Sequence, residues 1–501
     1  MRHSPIWGMD INSRKYPALA SDLSVNLLII GGGITGTTCA SLLADSGQTV
    51  ALLERDRLGS GDTSHTTAHL TYMTDTPLSE IVRACGEEAA AAGWNAGHAA
   101  LEIVRKFAVE SGEDFEFREV PGYLVAAGAD VGKERERLHK EAALARRFGF
   151  DVEFVESAPV TGRPGLLFPK QGKFHPLKFI QAMARKAAAG GVLIFENTNV
   201  TEFGDEPLHV MANGHRVTFD KVIIATHVPM QGNRNTIAAT AFQTKLASYS
   251  TYAIAARVPK GALPEMIWSN TADPFDYLRV DVGADDATII FGGEDHKSGK
   301  VIETSERFST LEHRLANLVS GAQTTNRWSG QVVETIDGLP YIGEVIPGQF
   351  IATGFSGNGM TYGVASALMA RDWAAGRDNP WRKAFDPMRA HLSAAYDYLR
   401  ENKDFPWRLV NDRFAIREGS VSEVGLGEGK VMKSDGRNVA ICRDMDGRLH
   451  ELSAVCPHLG CIVAWNEAET TWDCPCHGSR FAADGTLLAG PAEKNLEPIN
   501  S

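Results

Sequence analysis

Six residues near the N-terminus restrict the fold of this chain more than any other stretch. Val25-Asn26-Leu27-Leu28-Ile29-Ile30 is an apolar run of strand length, and Gly31-Gly32-Gly33-Ile34-Thr35-Gly36 follows at once. Thr37 to Ser46 then reads as a helix closed by Gly47, and Thr49 to Leu53 as a second strand ending in Glu54. Strand, G-x-G-x-x-G, helix, strand and acid together form the fingerprint of a βαβ unit that binds a dinucleotide. Gly31 and Gly33 permit the tight turn and the approach of a pyrophosphate, and Gly36 permits close packing of helix on strand. The helix N-terminus faces the negative charge. Glu54, 23 residues after Gly31, stands where an acid accepts hydrogen bonds from a ribose.

A second signal lies near the other end. Cys456-Pro457-His458-Leu459-Gly460-Cys461 and Cys474-Pro475-Cys476-His477-Gly478-Ser479 give C-x-H, a gap of fifteen residues, then C-x-x-H. Thiolate and imidazole are both good iron donors, and two Cys with two His is the ligand set of a Rieske [2Fe–2S] centre. Cys456 and His458 would come from one loop, and Cys474 and His477 from the other. The Pro and Gly residues suit tight loops. Four-ligand Cys/His sets are also often zinc sites, but the usual zinc spacings fit this pattern poorly. A cluster of this kind moves one electron at a time.

These loops closely resemble the Rieske proteins of cytochrome bc complexes. The resemblance implies Cys456, His458, Cys474 and His477 as cluster ligands and a disulfide between Cys461 and Cys476 that clamps the loops. Ser479 matches a serine that donates to a bridging sulfide in the high-potential members. Those members carry a tyrosine two residues later, where this chain has Phe481. Phe cannot donate to a cluster sulfur, and such bonds help set the potential. The expected potential is therefore below that of the respiratory proteins and above that of plant-type ferredoxins.

Further segments bear on which dinucleotide is bound. They are Gly59 to Thr71, Thr335-Ile336-Asp337-Gly338-Leu339-Pro340-Tyr341-Ile342-Gly343, and Ile351-Ala352-Thr353-Gly354-Phe355-Ser356-Gly357-Asn358-Gly359-Met360. From about residue 24 to 395 the chain resembles the D-amino-acid oxidase and glycine oxidase superfamily of FAD enzymes. The resemblance implies FAD contacts at Gly31, Gly33, Ile34, Thr35, Gly36, Glu54, Arg55, Thr63, Ser64, His65 and Thr66, and an adenine contact at Val200. It also implies that Gly357, Asn358, Gly359 and Met360 open a helix toward the flavin. His227 stands where that family usually has glycine. The Gly61-Asp62-Thr63-Ser64-His65 segment is similar to the one through which dimethylglycine and sarcosine dehydrogenases attach FAD to histidine, with a one-residue departure after the histidine. As a whole the chain resembles bacterial proteins that fuse such an FAD domain to a C-terminal Rieske domain.

The expected fold is α/β followed by β: a Rossmann-like FAD domain with an antiparallel-sheet substrate domain, then a small all-β Rieske domain. Residues 1–24 read as an N-terminal arm and 25–400 as the oxidoreductase. Its FAD-binding parts are placed at about 25–72, 175–230 and 331–372, and its substrate parts at about 73–174 and 240–330. Residues 401–420 read as a linker and 421–501 as the Rieske domain. Within this scheme Glu134 to Phe148 has surface-helix periodicity, His175 to Ala189 reads as a helix, and Gly425 to Lys430 as a hairpin.

Function follows from the cofactors. No second G-x-G-x-x-G appears in a strand–helix setting, so electrons are expected to enter from an organic substrate rather than from a nicotinamide. An amine or amino-acid-like molecule would be oxidised at FAD. Electrons would leave singly through the cluster to an external acceptor, a protein or a quinone. Two alternatives stay open: an oxidase that reduces oxygen directly, with a structural Rieske domain, and a non-catalytic redox carrier or sensor. Tyr277, Arg279 and His296 lie in the expected substrate sheet and are candidates for substrate contact. A net charge of −12 argues against a nucleic-acid partner. Met1 to Val25 has no apolar signal core and no apolar run reaches membrane length, so a cytoplasmic protein without a membrane span is expected. Cys39, Cys85 and Cys442 read as small apolar residues.

Overall fold

The computed structural model describes residues 2–8, 14–229, 245–300, 304–389, 416, 419–434 and 436–499. Most of the expected linker at 401–420 lies outside these residues. The βαβ unit forms as read. Strand Leu23–Ile30 leads into helix Ile34–Leu43 and strand Val50–Leu53, with Leu27, Leu28, Ile29 and the second strand all buried. Apolar side chains on both faces are what a parallel strand covered on both sides requires. These strands pair in parallel with each other, with His215–Ile224 and with Leu193–Phe195, and the sheet continues through Gln349–Thr353 to Tyr341–Ile346. Helices Ile34–Leu43, Pro176–Ala189 and Gly359–Ala374 pack on one side through Cys39, Ala40, Ala184, Ala365 and Ala367. The predicted 134–148 helix runs Val131–Arg147, capped by the Asp130 carboxylate, which accepts from Lys133 N. The predicted 175–189 helix starts after His175, whose ring accepts from Lys178 N.

The second sheet has ten strands among the described residues and is largely antiparallel. Its centre is Gln323–Thr335, Leu246–Pro259, Asp286–Lys297 and Tyr277–Val282 in that order. Two pairings are parallel: Ile267–Asn270 with Arg118–Val125, and Arg2–His3 with the 323–335 strand. The N-terminal arm is thus part of the sheet edge. Residues alternate across this sheet. One face carries Tyr252, Ile254, Ala256, Ile289 and Phe291 against helix Glu306–Leu318.

The C-terminal region consists of a three-stranded sheet (429–434, 437–443, 449–453) and a four-stranded sheet (464–466, 471–473, 480–482, 487–489). Its core holds Trp472, Phe481, Leu452 and Ala440, all nearly inaccessible. The glycine run at 425–430 is not itself the hairpin. Glu428 N donates to Gly425 O there, and the antiparallel pairing turns back between Ser434 and Arg437.

Candidate functional site

A cavity of about 940 Å³ runs between the two large sheets. Gly31, Gly33, Ile34, Thr35, Glu54, Arg55, Thr63, His65, Thr66, Val200, Gly357, Asn358, Gly359 and Met360 line it. Gly36 and Ser64 stand behind the wall. A Cβ on Gly36 would lie 1.8 Å from Gly31 O, so the helix can approach the strand only without a side chain there. Gly31 has φ +103, and a Cβ on it would lie 2.4 Å from Ala225 O. The helix opening at Ile34 has Gly33 at its N-cap; Ile34 N donates to Thr63 Oγ1 at 3.1 Å, and the N-terminus as a whole turns its partial positive charge to the place for a phosphate. Glu54 Oε2 accepts from Gly32 N at 2.6 Å and Oε1 from Asp56 N at 2.9 Å; burial raises this carboxyl. The turn, the helix N-terminus and the acid fit the dinucleotide end of FAD.

The segment after the βαβ unit is clamped from three directions. Trp7 Nε1 donates to Thr66 O, Trp328 Nε1 to His65 O, and Arg279 Nη1 to the carbonyls of Ala68 and Phe174. The same guanidinium pairs with Asp281 at 3.0 Å and lies 5.0 Å from the Trp7 ring centroid. Arg279, a candidate for substrate contact, is therefore committed to holding the 65–68 backbone and does not line the cavity. His296 is also outside the wall, its Nε2 3.1 Å from Tyr252 Oη. Of the three candidates, Tyr277 is the one in the cavity, with its hydroxyl 2.7 Å from Thr251 Oγ1. His65 lines it too, with Nδ1 3.0 Å from Ser64 Oγ.

Three wall residues were not singled out from the sequence. His69 is buried, which pushes its imidazole down to about 3 and keeps it neutral. Asp75 lies against the 355–360 loop: a Cβ on Gly357 would fall 1.8 Å from its Oδ2. Asn358 fixes that contact, accepting from Asp75 N at 3.3 Å and donating to Met73 O at 3.2 Å. Asp75 is open to the cavity yet deep in the fold, so desolvation first, then Asp295 and Glu334, raise its carboxyl well above the usual range. Asp295 is raised to about 6, chiefly by burial, against a lowering by the Thr251 hydroxyl. Strand alternation was the usable signal, because adjacent residues Asp295 and His296 must point to opposite faces.

The Cys/His loops match each other. Cys456 N donates to Cys461 O and Cys474 N to Ser479 O, both at 2.8 Å. Gly460 and Gly478 close the two turns, each at φ +78. The Cys456 and Cys474 thiols hydrogen-bond one another, lowering the first and raising the second. The His458 and His477 rings meet edge to face at 5.0 Å, and both Nδ1 atoms are buried without a hydrogen-bond donor or acceptor of their own. Burial pushes these imidazoles down to about 4 and about 3. Two converging thiols and two neutral rings with orphaned nitrogens fit an iron–sulfur cluster. Cys461 and Cys476 form a disulfide, and their sulfurs lie within 4.8 Å of the Cys474 sulfur. Ser479 Oγ accepts from Ala492 N at 2.9 Å and bonds to Cys456, so its proton points to the ligand side.

These loops dock on the large sheet. Ser248 Oγ donates to His477 O at 3.1 Å, and Gln331 Nε2 donates to Gly478 O at 2.6 Å. A Cβ on Gly478 would meet Ser248 Cβ at 2.2 Å. Gln331 also lines the cavity, and its backbone N donates to Asp62. On the opposite strand face Thr251 and Ala253 line the cavity. One sheet layer therefore separates the cavity from the cluster loops. The C-terminal domain also closes one end of the cavity with Thr486 to Glu493, where Arg55 Nη2 donates to Leu488 O.

A sequence profile for FAD dependent oxidoreductases matches residues 26–373, and one for the Rieske [2Fe-2S] domain matches 415–500. Over 502 aligned residues the chain is 30% identical to the putative Rieske 2Fe-2S iron-sulfur protein YhfW of Bacillus subtilis, covering 99% of this chain and 97% of that one. Among solved structures, glycine oxidase from Geobacillus kaustophilus superposes with a TM-score of 0.61 at 21% identity, over 74% of this chain and 99% of that one. L-proline dehydrogenase from P. horikoshii superposes with a TM-score of 0.59 at 22% identity, over 74% and 98%. At such identities the superpositions speak for a shared fold.

Proposed function

Because the chain belongs to the FAD-dependent oxidoreductase family and ends in a Rieske [2Fe-2S] domain, we propose that it is an amine dehydrogenase that discharges its electrons through the cluster to an external one-electron acceptor. When bound, FAD takes two reducing equivalents from the carbon next to nitrogen, and the cluster accepts electrons singly. The observation that carries this reading is Gln331, which lines the flavin cavity and bonds to the loop of ligand His477.

The chain's own residues divide the work. Gly31, Gly33 and the N-terminus of the 34–43 helix hold the pyrophosphate, and Glu54 takes the ribose. Gly357 to Met360 present a helix N-terminus, whose partial positive charge favours a flavin ring that gains negative charge. Tyr277 and Thr251 form a hydrogen-bonded pair beside the place for the reacting amine. His69, kept neutral by burial, adds no positive charge, so it does not oppose an incoming ammonium. Ser248 and Gln331 hold the cluster loop in register with the cavity wall. The names of the superposable enzymes, glycine oxidase and L-proline dehydrogenase, fit oxidation beside nitrogen.

The test is anaerobic mixing of the holoenzyme with amines and amino acids while flavin and cluster absorbance are followed together. The expected result is bleaching of the flavin followed by reduction of the cluster in the same molecule. Flavin bleaching with a cluster that stays oxidised, and stoichiometric peroxide once air is admitted, would overturn the reading in favour of a direct oxidase.

A further inference from the structure

The wall around the reacting end of the cavity is acidic. Asp75, Glu80, Glu141, Asp273, Asp295 and Glu334 line it. Among the described lining residues the lysines and arginines are Arg55 and Arg137. Arg55 lies at the nucleotide end, beside Asp56 and Leu488 O. Arg137 sits on the 131–147 helix with Glu134 Oε1 3.9 Å away and is largely turned to solvent. Arg279 and Lys173, the buried cations nearest this sheet, are occupied. Arg279 holds backbone carbonyls and Asp281, and Lys173 lies 2.7 Å from Glu265 and 2.5 Å from Asp281. Three imidazoles line the wall: His69 is neutral, His227 Nε2 lies 3.7 Å from Asp62, and His65 Nδ1 lies 3.0 Å from Ser64 Oγ.

An α-amino acid entering this space would bring a carboxylate to a surface on which acids outnumber lysines and arginines. It would also approach carboxylates that already disfavour each other's charge, since Asp75 is raised in part by Asp295 and Glu334. The deficiency has the opposite sign. Asp295 is buried and its Oδ1 has no hydrogen-bond partner, a costly arrangement for a carboxyl unless something else completes it. Asp75 rests on Gly357, in the loop that faces the flavin, and Asp295 and Glu334 are close enough to disfavour its charge.

We infer that the substrate is an amine with a second positive charge and no carboxylate, held by the acids of the wall, Asp75 and Asp295 among them. This deepens the proposed amine oxidation and rests on it for the identity of the reacting group. Ammonium groups supply the donors these carboxyls lack, and their charge lets both acids ionise in the complex. Specificity then comes from attraction to a dication and from repulsion of anything that carries an anion.

Three probes of one chain length separate the possibilities: 1,5-diaminopentane, n-pentylamine and 5-aminopentanoate. Their dissociation constants are measured by calorimetry on dithionite-reduced holoenzyme, where turnover cannot occur. The diamine is expected to bind about tenfold more tightly than either other probe, the scale of one screened charge contact near a protein surface. Asp295→Asn and Asp75→Asn should each reduce that preference. A preference under about threefold in the unaltered enzyme, or tighter binding of 5-aminopentanoate, overturns the inference whether or not the variants fold. The same probes are then mixed with oxidised enzyme without oxygen. If the diamine is preferred but no amine bleaches the flavin, charge selection stands and the oxidation reading fails. If 5-aminopentanoate is both the tighter ligand and the better reductant, oxidation stands and the dication fails.

Discussion

The four proposed cluster ligands lie between residues 456 and 477, on two loops that share the same turn geometry, whereas the proposed substrate wall gathers His69, Asp75, Thr251, Tyr277 and Asp295 from both halves of the oxidoreductase sequence. The first site needs one small β domain and a clamp. The second exists only once the 355–360 loop, the 71–77 segment and three strands of the large sheet have met. The cluster site should therefore tolerate damage to the flavin half, and the flavin site should tolerate loss of the cluster. Their communication should depend on the seam between them, where Ser248 and Gln331 meet the backbone of residues 477 and 478 and Thr304 meets Asn466 and Ala468.

The largest effects test that independence. His477→Ala should abolish the cluster, taking iron and acid-labile sulfide from about two per chain to near zero, because the cluster needs all four ligands. Bound FAD should remain close to one per chain. Loss of both cofactors in this variant would show that the halves do not fold separately. The converse is Gly36→Val. Its side chain would run into Gly31 O, so flavin should be lost along with about 3 kcal/mol of stability in that domain, as overpacking against backbone costs. Iron content should persist.

Removing the clamp by Cys461→Ser and Cys476→Ser together should cost about 3 kcal/mol in the C-terminal domain, the chain-entropy estimate for a loop of this length. Calorimetry on the holoprotein should show the domain's transition lowered while the flavin domain's is unchanged. A smaller loss would mean that the cluster itself closes the two loops. Gln331→Ala is milder. The ligands stay, but one cavity-lining side chain and its 2.6 Å bond to Gly478 O go. Flavin-to-cluster transfer after anaerobic reduction should slow about tenfold, the weight of one lost hydrogen bond. The rate of flavin reduction by substrate should hold.

The same contrast explains how much could be read from sequence. The dinucleotide turn and the Cys/His loops are local, so spacing and residue type placed them. The helices were legible as 134–148, from periodicity, and 175–189; the caps that set their starts, Asp130 and His175, showed only in the structure. The substrate wall was not. Tyr277 and Arg279 share one face of a single strand and His296 lies on the next strand, yet what covers each position sends them to three environments: the cavity, a backbone clamp and the face under the C-terminal domain. Asp75 carried no motif, because its role depends on Gly357, which is 282 residues away. The docking of the cluster loops was equally hidden, since backbone carbonyls accept those bonds and any residue type supplies a carbonyl.

The smallest expected effect concerns the potential. Ser479 is placed to donate to the ligand sulfur side, and Phe481 is fully buried in the same core as Cys456 and Cys474. A tyrosine at 481 would add a hydroxyl donor where the phenyl edge has none. One extra bond to cluster sulfur stabilises the reduced, more negative state, and about 1.4 kcal/mol of such preference raises a one-electron potential by about 60 mV. Phe481→Tyr should therefore titrate higher than the unaltered protein, followed by the cluster's electron paramagnetic resonance signal. Stability provides the control. If the hydroxyl reaches sulfur, the melting temperature should hold. If it is buried without an acceptor, the domain should lose about 1–3 kcal/mol and the potential should stay put. That second result would mean that the low-donor character of this cluster is set by the packing around residue 481 and not by the side chain alone.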